Sequence, residues 1–239
     1  GDFRSKEVCA LRDEADIIVT NPPFSLFREF VAWIFEADKQ CLIVGNQGGV
    51  GYKEVFPLIQ ENRLWYGNGF SAGNAYFGLP KQQIREYSTG VYDESTGLVK
   101  FRNCCWLTNM EHGRRHEPLK LMSMKDNIRF GKHKDLSERG YYFRYENYDA
   151  IDVPYTDAIP NDYEGIMGVP ITFLSKYCPE QFEIIGHAHG DAGVALGLKP
   201  YDRQLKQKNK GLRDGDLYYF DENNNPTIPY SRILIRKKQ

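Results

Sequence analysis

No run of eighteen apolar residues occurs in the 239-residue chain, and no apolar signal-peptide core stands near its start. Membrane-spanning helices and a secretory leader are therefore not expected, and neither is a membrane partner. Cysteine is scarce and badly arranged for cross-linking. Cys9, Cys41, Cys104, Cys105 and Cys178 are odd in number, scattered, and form no C-x-x-C pair. That spacing argues against a disulfide framework and a cysteine-rich zinc site, and it points to a reducing, cytoplasmic compartment. Net charge is missing too, at −1 from 31 Lys+Arg and 32 Asp+Glu. A surface for a polyanion must then come from local clustering. Internal repeats are also absent.

What is present is a mixed composition, 41% hydrophobic, with 16 Tyr and 14 Phe. That is enough to bury the core of one large domain, or of a domain with an appendage. The first 70 residues alternate strand and helix patterns. Ile17-Ile18-Val19 is a continuous apolar run suited to a sheet covered on both faces. Phe27, Phe30, Val31 and Ile34 recur at spacings of three and four, which predicts an amphipathic helix. Cys41-Leu42-Ile43-Val44 reads as a second buried strand, Tyr52 to Glu61 as a helix, and Leu64-Trp65-Tyr66 as the next strand. This order predicts an α/β fold with a doubly wound, Rossmann-like sheet that takes ligands at the carboxyl ends of its strands. Asn21 and Asn46 both lie at such ends. Beyond Phe70 the pattern becomes an irregular α+β region. Strand-like pieces at 97–101, 105–108, 182–186 and an alternating one at 232–236 are separated by long polar intervals, and residues 111–165 read as extended loops.

The most informative element is Asn21-Pro22-Pro23-Phe24, which ends the first strand and opens the first helix pattern. Neither proline has a backbone N–H, and each has φ fixed near −65°. The carbonyls of Asn21 and Pro22 therefore cannot continue an ordinary helix or sheet and are free to accept hydrogen bonds from a guest. A planar exocyclic amine is a poor nucleophile because its lone pair is delocalised into the ring. The Asn21 side-chain oxygen and the Pro22 carbonyl, placed around its two hydrogens, favour a tetrahedral nitrogen and localise that pair. The gain is positioning and preorganised electrostatics; a neutral asparagine is no strong base. The natural electrophile is the sulfonium methyl of S-adenosylmethionine. Phe24 offers a stacking face, worth roughly 1–3 kcal/mol per base, against the few kcal/mol that extracting a base from a duplex costs. The bland alternative is a proline-stiffened turn with no chemistry.

Around this turn the chain resembles the EcoRI-type modification methylase family of adenine-specific DNA methyltransferases. The likeness runs through Val19-Thr20-Asn21-Pro22-Pro23-Phe24-Ser25-Leu26-Phe27-Arg28-Glu29, Ile43-Val44-Gly45-Asn46-Gln47, residues 109–117, 147–151 and 168–174, and the basic ending at 232–238. It covers nearly the whole chain. The resemblance implies methyl transfer from S-adenosylmethionine to adenine N6 of a flipped base in a specific site of double-stranded DNA. A restriction–modification setting follows, with a cognate restriction endonuclease acting on the same site as a partner. It implies catalytic roles for Asn21, Pro22, Pro23 and Phe24, and cofactor contacts for Asp2, Phe3 and Asn21. In Gly1-Asp2-Phe3, Asp2 would accept from the cofactor adenine while Phe3 packs on its ring. One departure stands out. The Gly-rich turn that holds the methionine end of the cofactor in this family is missing, and Gly186-His187-Ala188-His189-Gly190-Asp191-Ala192-Gly193 lacks its pattern. The chain is therefore expected to start partway into its methyltransferase domain, on the order of 60 residues late, and to bind cofactor poorly by itself. Residues 1–70 are expected to be part of the catalytic domain, and 71–239 the rest of the sheet plus a target-recognition region.

Other clusters carry weaker signals. His112 and His116 are four apart, but Gly113 and Arg114-Arg115 between them oppose a metal. A phosphate-contacting or solvated loop fits better, with Arg114 and Arg115 as the DNA contacts. His187 and His189 are likewise poor metal ligands, and no metal is expected. The stretch Lys199 to Arg213 reads either as a solvated loop or as a phosphate grip through Lys199, Arg203, Lys206, Lys208, Lys210 and Arg213, with Tyr201 interleaved. Gly48-Gly49-x-Gly51 lacks the lysine of a P-loop and reads as a loop lining the crevice of Asn21. Cytosine, RNA adenine and a glutamine amide are alternative amines, and a non-catalytic DNA-binding protein is the rival from another class.

Overall fold

The computed structural model describes residues 2–69, 74–80, 87–208 and 211–238, with Lys208 described by its backbone alone. Lys210, named above as a phosphate contact, lies outside the described residues. The chain is mixed α/β and divides into two compact units, residues 1–112 and 113–239.

In the first unit, helix α1 (Lys6–Glu14) starts where the Ser5 hydroxyl accepts from the Val8 N–H at 3.3 Å. Strand β1 (Ile17–Thr20) follows, then helix α2 (Phe27–Glu36) and strand β2 (Gln40–Asn46). The three-and-four spacing does its work in α2, where Phe27, Phe30, Val31 and Ile34 are all buried. Each such side chain contributes about 1.5–3 kcal/mol. After α3 (Phe56–Gln60) come β3 (Trp65–Tyr66), β4 (Ala75–Gly78), β5 (Tyr92–Asp93), β6 (Leu98–Phe101) and β7 (Cys104–Thr108).

The main sheet has the order β1-β2-β7-β3. β1 and β2 are parallel, whereas β7 runs antiparallel to both β2 and β3. Three of the four strands therefore share a direction and one opposes them. The register of β2 on β7 is pinned at one end by three bonds. The Thr108 hydroxyl donates to the Cys41 carbonyl at 2.6 Å, and the Asn109 side chain accepts from the Cys41 N–H and donates to the Lys39 carbonyl. A separate three-stranded sheet has the order β4-β6-β5.

One sequence expectation fails here. β1 is not a fully covered strand, because it pairs with β2 alone at the edge of the described sheet. Ile17 and Val19 keep 46% and 64% of their surface exposed. A continuous apolar run does not distinguish a buried central strand from an edge strand that borders a cavity.

In the second unit the 111–165 interval is more regular than expected. It contains α4 (Met124–Phe130), α5 (Lys134–Arg139) and β8 (Ala150–Asp152). Short capped helices of six and seven residues leave little periodicity to read. Then follow β9 (Ile166–Pro170), β10 (Phe182–Ala188), α6 (Gly190–Ala195), α7 (Arg203–Lys208), β11 (Tyr219–Phe220), β12 (Pro226–Thr227) and β13 (Arg232–Lys237). The sheet order is β10-β13-β9-β8. β13 is central, and Arg232, Ile233, Leu234 and Ile235 are all buried, so the expected alternation gives way to a strand covered on both faces.

Within that sheet, Asp152 and Arg232 form a buried pair, Nε to Oδ1 at 2.9 Å, and the Tyr145 hydroxyl donates to the same carboxylate. Burial, and then the Asp152 carboxylate, push the Tyr145 phenol well above its ordinary value. The glycines after β10 serve backbone packing. A Cβ on Gly193 would lie 1.8 Å from the Gly215 carbonyl oxygen, and one on Gly215 would lie 1.8 Å from that of Gly190. The 186–193 turn is thus explained by close approach of two chain segments. Among the described residues no helix is long and apolar enough to cross a membrane.

Candidate active site

The last ladder partner of β1 is Thr20, opposite Ile43, and Asn21 lies just beyond it. Pro22 is buried, while Asn21, Pro23 and Phe24 are exposed. Pro23 (φ −62°, ψ 124°) keeps the chain extended, and its carbonyl accepts from the Leu26 N–H at 3.0 Å to close a 3₁₀ turn over Phe24–Leu26. Among the described residues no hydrogen bond is made by the Asn21 side chain or the Pro22 carbonyl. These acceptors remain open, as the two prolines dictate.

The turn is anchored downstream by Phe27. Its ring fills the space that a side chain at residue 45 would need, since a Cβ on Gly45 would lie 3.1 Å from Phe27 Cζ and 3.1 Å from Leu107 Cδ1. A Cβ on Gly49 would lie 3.7 Å from the same ring. Asn46 and the glycines after it are therefore structural. The Asn46 side chain accepts from the Gly48 N–H at 2.8 Å, capping a 3₁₀ turn (Gln47–Gly51) in which Gly49 and Val50 are buried. Neither Asn46 nor that turn lines the two cavities beside Asn21, contrary to the expectation from sequence.

Those cavities meet at Asn21, Pro22 and Pro23. One, of about 670 Å³, adds Asp2, Phe3, the length of β1 and Trp33. The other, of about 750 Å³, adds Phe24, Val44, Phe77, Leu79, Phe101 and Cys104. Asp2 is held by its neighbour: Arg4 donates from Nε to Oδ1 and from Nη2 to Oδ2, each at 3.0 Å, and from its backbone N–H to Oδ1. These hydrogen bonds from Arg4 keep the Asp2 carboxyl below the ordinary carboxylate range, so it is charged at neutral pH. Phe3 is buried, with its ring edge-on to Phe30 at 5.2 Å and to Trp33 at 5.5 Å. The structure thus brings Asp2 and Phe3 to one cavity, Phe24 to the other, and Asn21 to both.

The basic residues of the second unit fare unevenly. Arg114, Lys199, Arg203 and Arg213 are exposed. Arg115 is 8% exposed, which removes it from the surface where a phosphate would be met. Lys206 is paired with the Asp214 carboxylate at 2.5 Å, so its charge is already compensated. Tyr201, interleaved among these basic residues, is buried, donates its hydroxyl to the Asp216 carbonyl and packs on Tyr218 at 4.7 Å. An aromatic beside lysines in sequence had a core role. Among the described residues no cluster of three metal-ligating side chains occurs. His112 sits 2.8 Å from the Tyr66 carbonyl, and His116 2.8 Å from Glu180.

Residues missed by sequence reasoning are Phe77 and Phe101, which line the second cavity from β4 and β6. Their one sequence signal was apolar side chains two apart in a strand of mixed burial.

A family profile described as adenine-specific methyltransferase EcoRI matches residues 1–238. The chain is 39% identical to Type II methyltransferase M.EcoRI of Escherichia coli, over all of its own length and 63% of the relative's. It is 35% identical to Type II methyltransferase M.MpnI of Mycoplasma pneumoniae, over 77% of this chain and 56% of the relative. Type II methyltransferase M.MgeORF184P of Mycoplasma genitalium is 32% identical over the full chain, which spans 70% of that protein. The chain thus spans less than two thirds of the first two relatives. No solved structure matches it.

Proposed function

The chain belongs to the adenine-specific methyltransferase EcoRI family, and from that premise we propose that it serves site-specific methylation of adenine N6 in double-stranded DNA. The observation that carries this reading is the pair of cavities sharing Asn21, Pro22 and Pro23, with two open acceptors on the shared wall. In this reading β1, α2 and β2 belong to a Rossmann-like sheet, with ligands in the crevice at the strand ends.

The residues present fit an adenosine-bearing cofactor in the first cavity. The Asp2 carboxylate, half exposed beside Arg4, can accept from an amino group, and Phe3 and the exposed side chains of β1 give it apolar walls. When bound there, S-adenosylmethionine supplies an electrophilic methyl group. The protein's own residues orient the other reactant. Asn21 Oδ1 and the Pro22 carbonyl oxygen take the two hydrogens of the adenine amino group, which holds the nitrogen lone pair toward the first cavity. Phe24, 49% exposed, offers a face to the extruded base. The excess proton passes to water, because neither acceptor is basic enough to keep it.

The second unit is assigned target recognition, with Arg114, Lys199, Arg203 and Arg213 the accessible ones among the cations named from sequence. A restriction endonuclease acting on the same site is the partner that the setting of a Type II system calls for. Every phosphate that a protein cation no longer neutralises flattens the dependence of log affinity on log salt by about 0.9. Replacing Arg114, Arg203 and Arg213 together by Ala is expected to lower that slope by roughly 2–3, measured by DNA binding across a salt series. Lys206→Ala is expected to leave it unchanged, since Asp214 already holds that ammonium.

The direct test is transfer of labelled methyl from S-adenosylmethionine to unmethylated duplex DNA by the full-length protein, with the product digested to nucleosides. Label in N6-methyladenine is expected. Label in N4-methylcytosine, or in RNA or protein when these compete, overturns the assignment of substrate.

A further inference from the structure

Phe77 and Phe101 sit in strands whose register sets them together. Ala75 lies opposite Phe101 and Phe77 opposite Val99, so these four side chains share one face of the β4–β6 pair. That face is divided diagonally, each opposed pair having one buried and one half-exposed member. Ala75 and Val99 are buried at 4% and 1%, whereas Phe77 and Phe101 keep 47% and 46% of their surface exposed. The two rings meet edge to face at 5.4 Å. Leaving two phenyl rings half in water forfeits about 25 cal/mol for every Å² of apolar area not buried. They line the cavity that holds Asn21 and Phe24, and with Gly78 and Leu79 they supply the lining that comes from neither the turn nor the main sheet. Val44, Phe77, Leu79, Phe101 and Cys104 bring no charged side chain to it. Such a lining suits a flat, uncharged ring and would repel the phosphate and sugar to which that ring is attached.

We infer that Phe77 and Phe101 hold the target base by its ring once it has left the duplex, as a second aromatic wall in addition to Phe24. The inference rests on the function proposed above and adds to it the residues that keep the base seated while Asn21 orients its amine. A base held between two aromatic surfaces cannot tilt its amino nitrogen away from the acceptors, so the second wall acts on the reacting geometry as well as on capture.

The test uses the full-length protein and a duplex carrying 2-aminopurine at the target position mapped by the methyl-transfer assay. Phe77→Ala and Phe101→Ala are expected to change the fluorescence of the bound 2-aminopurine. Methyl transfer at saturating DNA should fall roughly five- to a hundredfold, the drop expected when one aromatic face is taken from a stacked base. DNA affinity should stay within about threefold, because most of it comes from phosphate contacts. Phe101→Leu keeps the apolar volume without the flat face. It decides the matter if circular dichroism shows the alanine variants unfolded. Wild-type rates and an unchanged 2-aminopurine signal in folded variants overturn the inference and leave the proposed function standing. A wild-type protein that methylates no adenine fails earlier, and takes the proposed function and the inference with it.

Discussion

Asn21→Ala in the full-length protein is expected to lower methyl transfer by at least two to three orders of magnitude, the scale set by removing one preorganised hydrogen-bonding group from a reacting centre. DNA affinity should be nearly unchanged. The asparagine is exposed and makes no hydrogen bond within the described residues, so its loss leaves the fold alone. Single-turnover transfer of labelled methyl, beside a binding titration on the same duplex, separates the two quantities. Asn21→Asp is the sharper variant. It keeps the acceptor oxygen and adds a charge, so partial activity there together with none in Asn21→Ala would identify the oxygen as the working group. Normal turnover by Asn21→Ala would remove Asn21 from the chemistry altogether.

The largest effect on stability is expected at Asp152. The residue is 2% exposed, and it meets Arg232, 9% exposed, across the central sheet of the second unit. Asp152→Ala strands a buried guanidinium and the Tyr145 hydroxyl together, a loss of about 3–5 kcal/mol. Urea denaturation should show this as a lower midpoint with little change in slope. Asp152→Ala combined with Arg232→Met should recover much of the loss, because a buried pair replaced by apolar groups is often nearly neutral. If Asp152→Ala alone melts like the wild type, the pair is not holding the sheet. The charge on Arg232 is favoured by this arrangement, since the Asp152 carboxylate raises its pKa against the opposing effect of burial.

The parts of this molecule legible from sequence are those fixed by neighbours in the chain. The end of β1, the open turn at Asn21-Pro22-Pro23-Phe24 and the buried face of α2 follow from proline chemistry and a spacing of three and four. What sequence could not show depends on register across distance. Asp152 and Arg232 are 80 positions apart, and Phe77 meets Phe101 only because β4 and β6 pair as they do. Asp152 did leave a trace. A lone carboxylate in Ala150-Ile151-Asp152-Val153 needs a buried partner if that strand is covered, and all four residues are buried although β8 is an edge strand. The grip read into Lys199–Arg213 is weaker for the same reason, because compensation of Lys206 by Asp214 and burial of Tyr201 appear only when the loop returns on itself. Asn46 matched Asn21 in placement at a strand end, yet its amide closes its own turn.

The turn that separates the two cavities is clamped at both ends, by the β1–β2 ladder before it and by the Phe27 ring seated on Gly45 and Gly49 after it. A partition held this way has little freedom to lose when its tenants arrive. Under the proposed function, the entropy of bringing reactants together then falls on the nucleic acid, which has to unstack a base and swing it out. Sites embedded in easily opened pyrimidine–purine steps would thus be modified sooner than equally well-contacted sites in stiff A-tracts. The order in which a genome acquires its marks would follow the suppleness of the helix around each site as much as the letters within it.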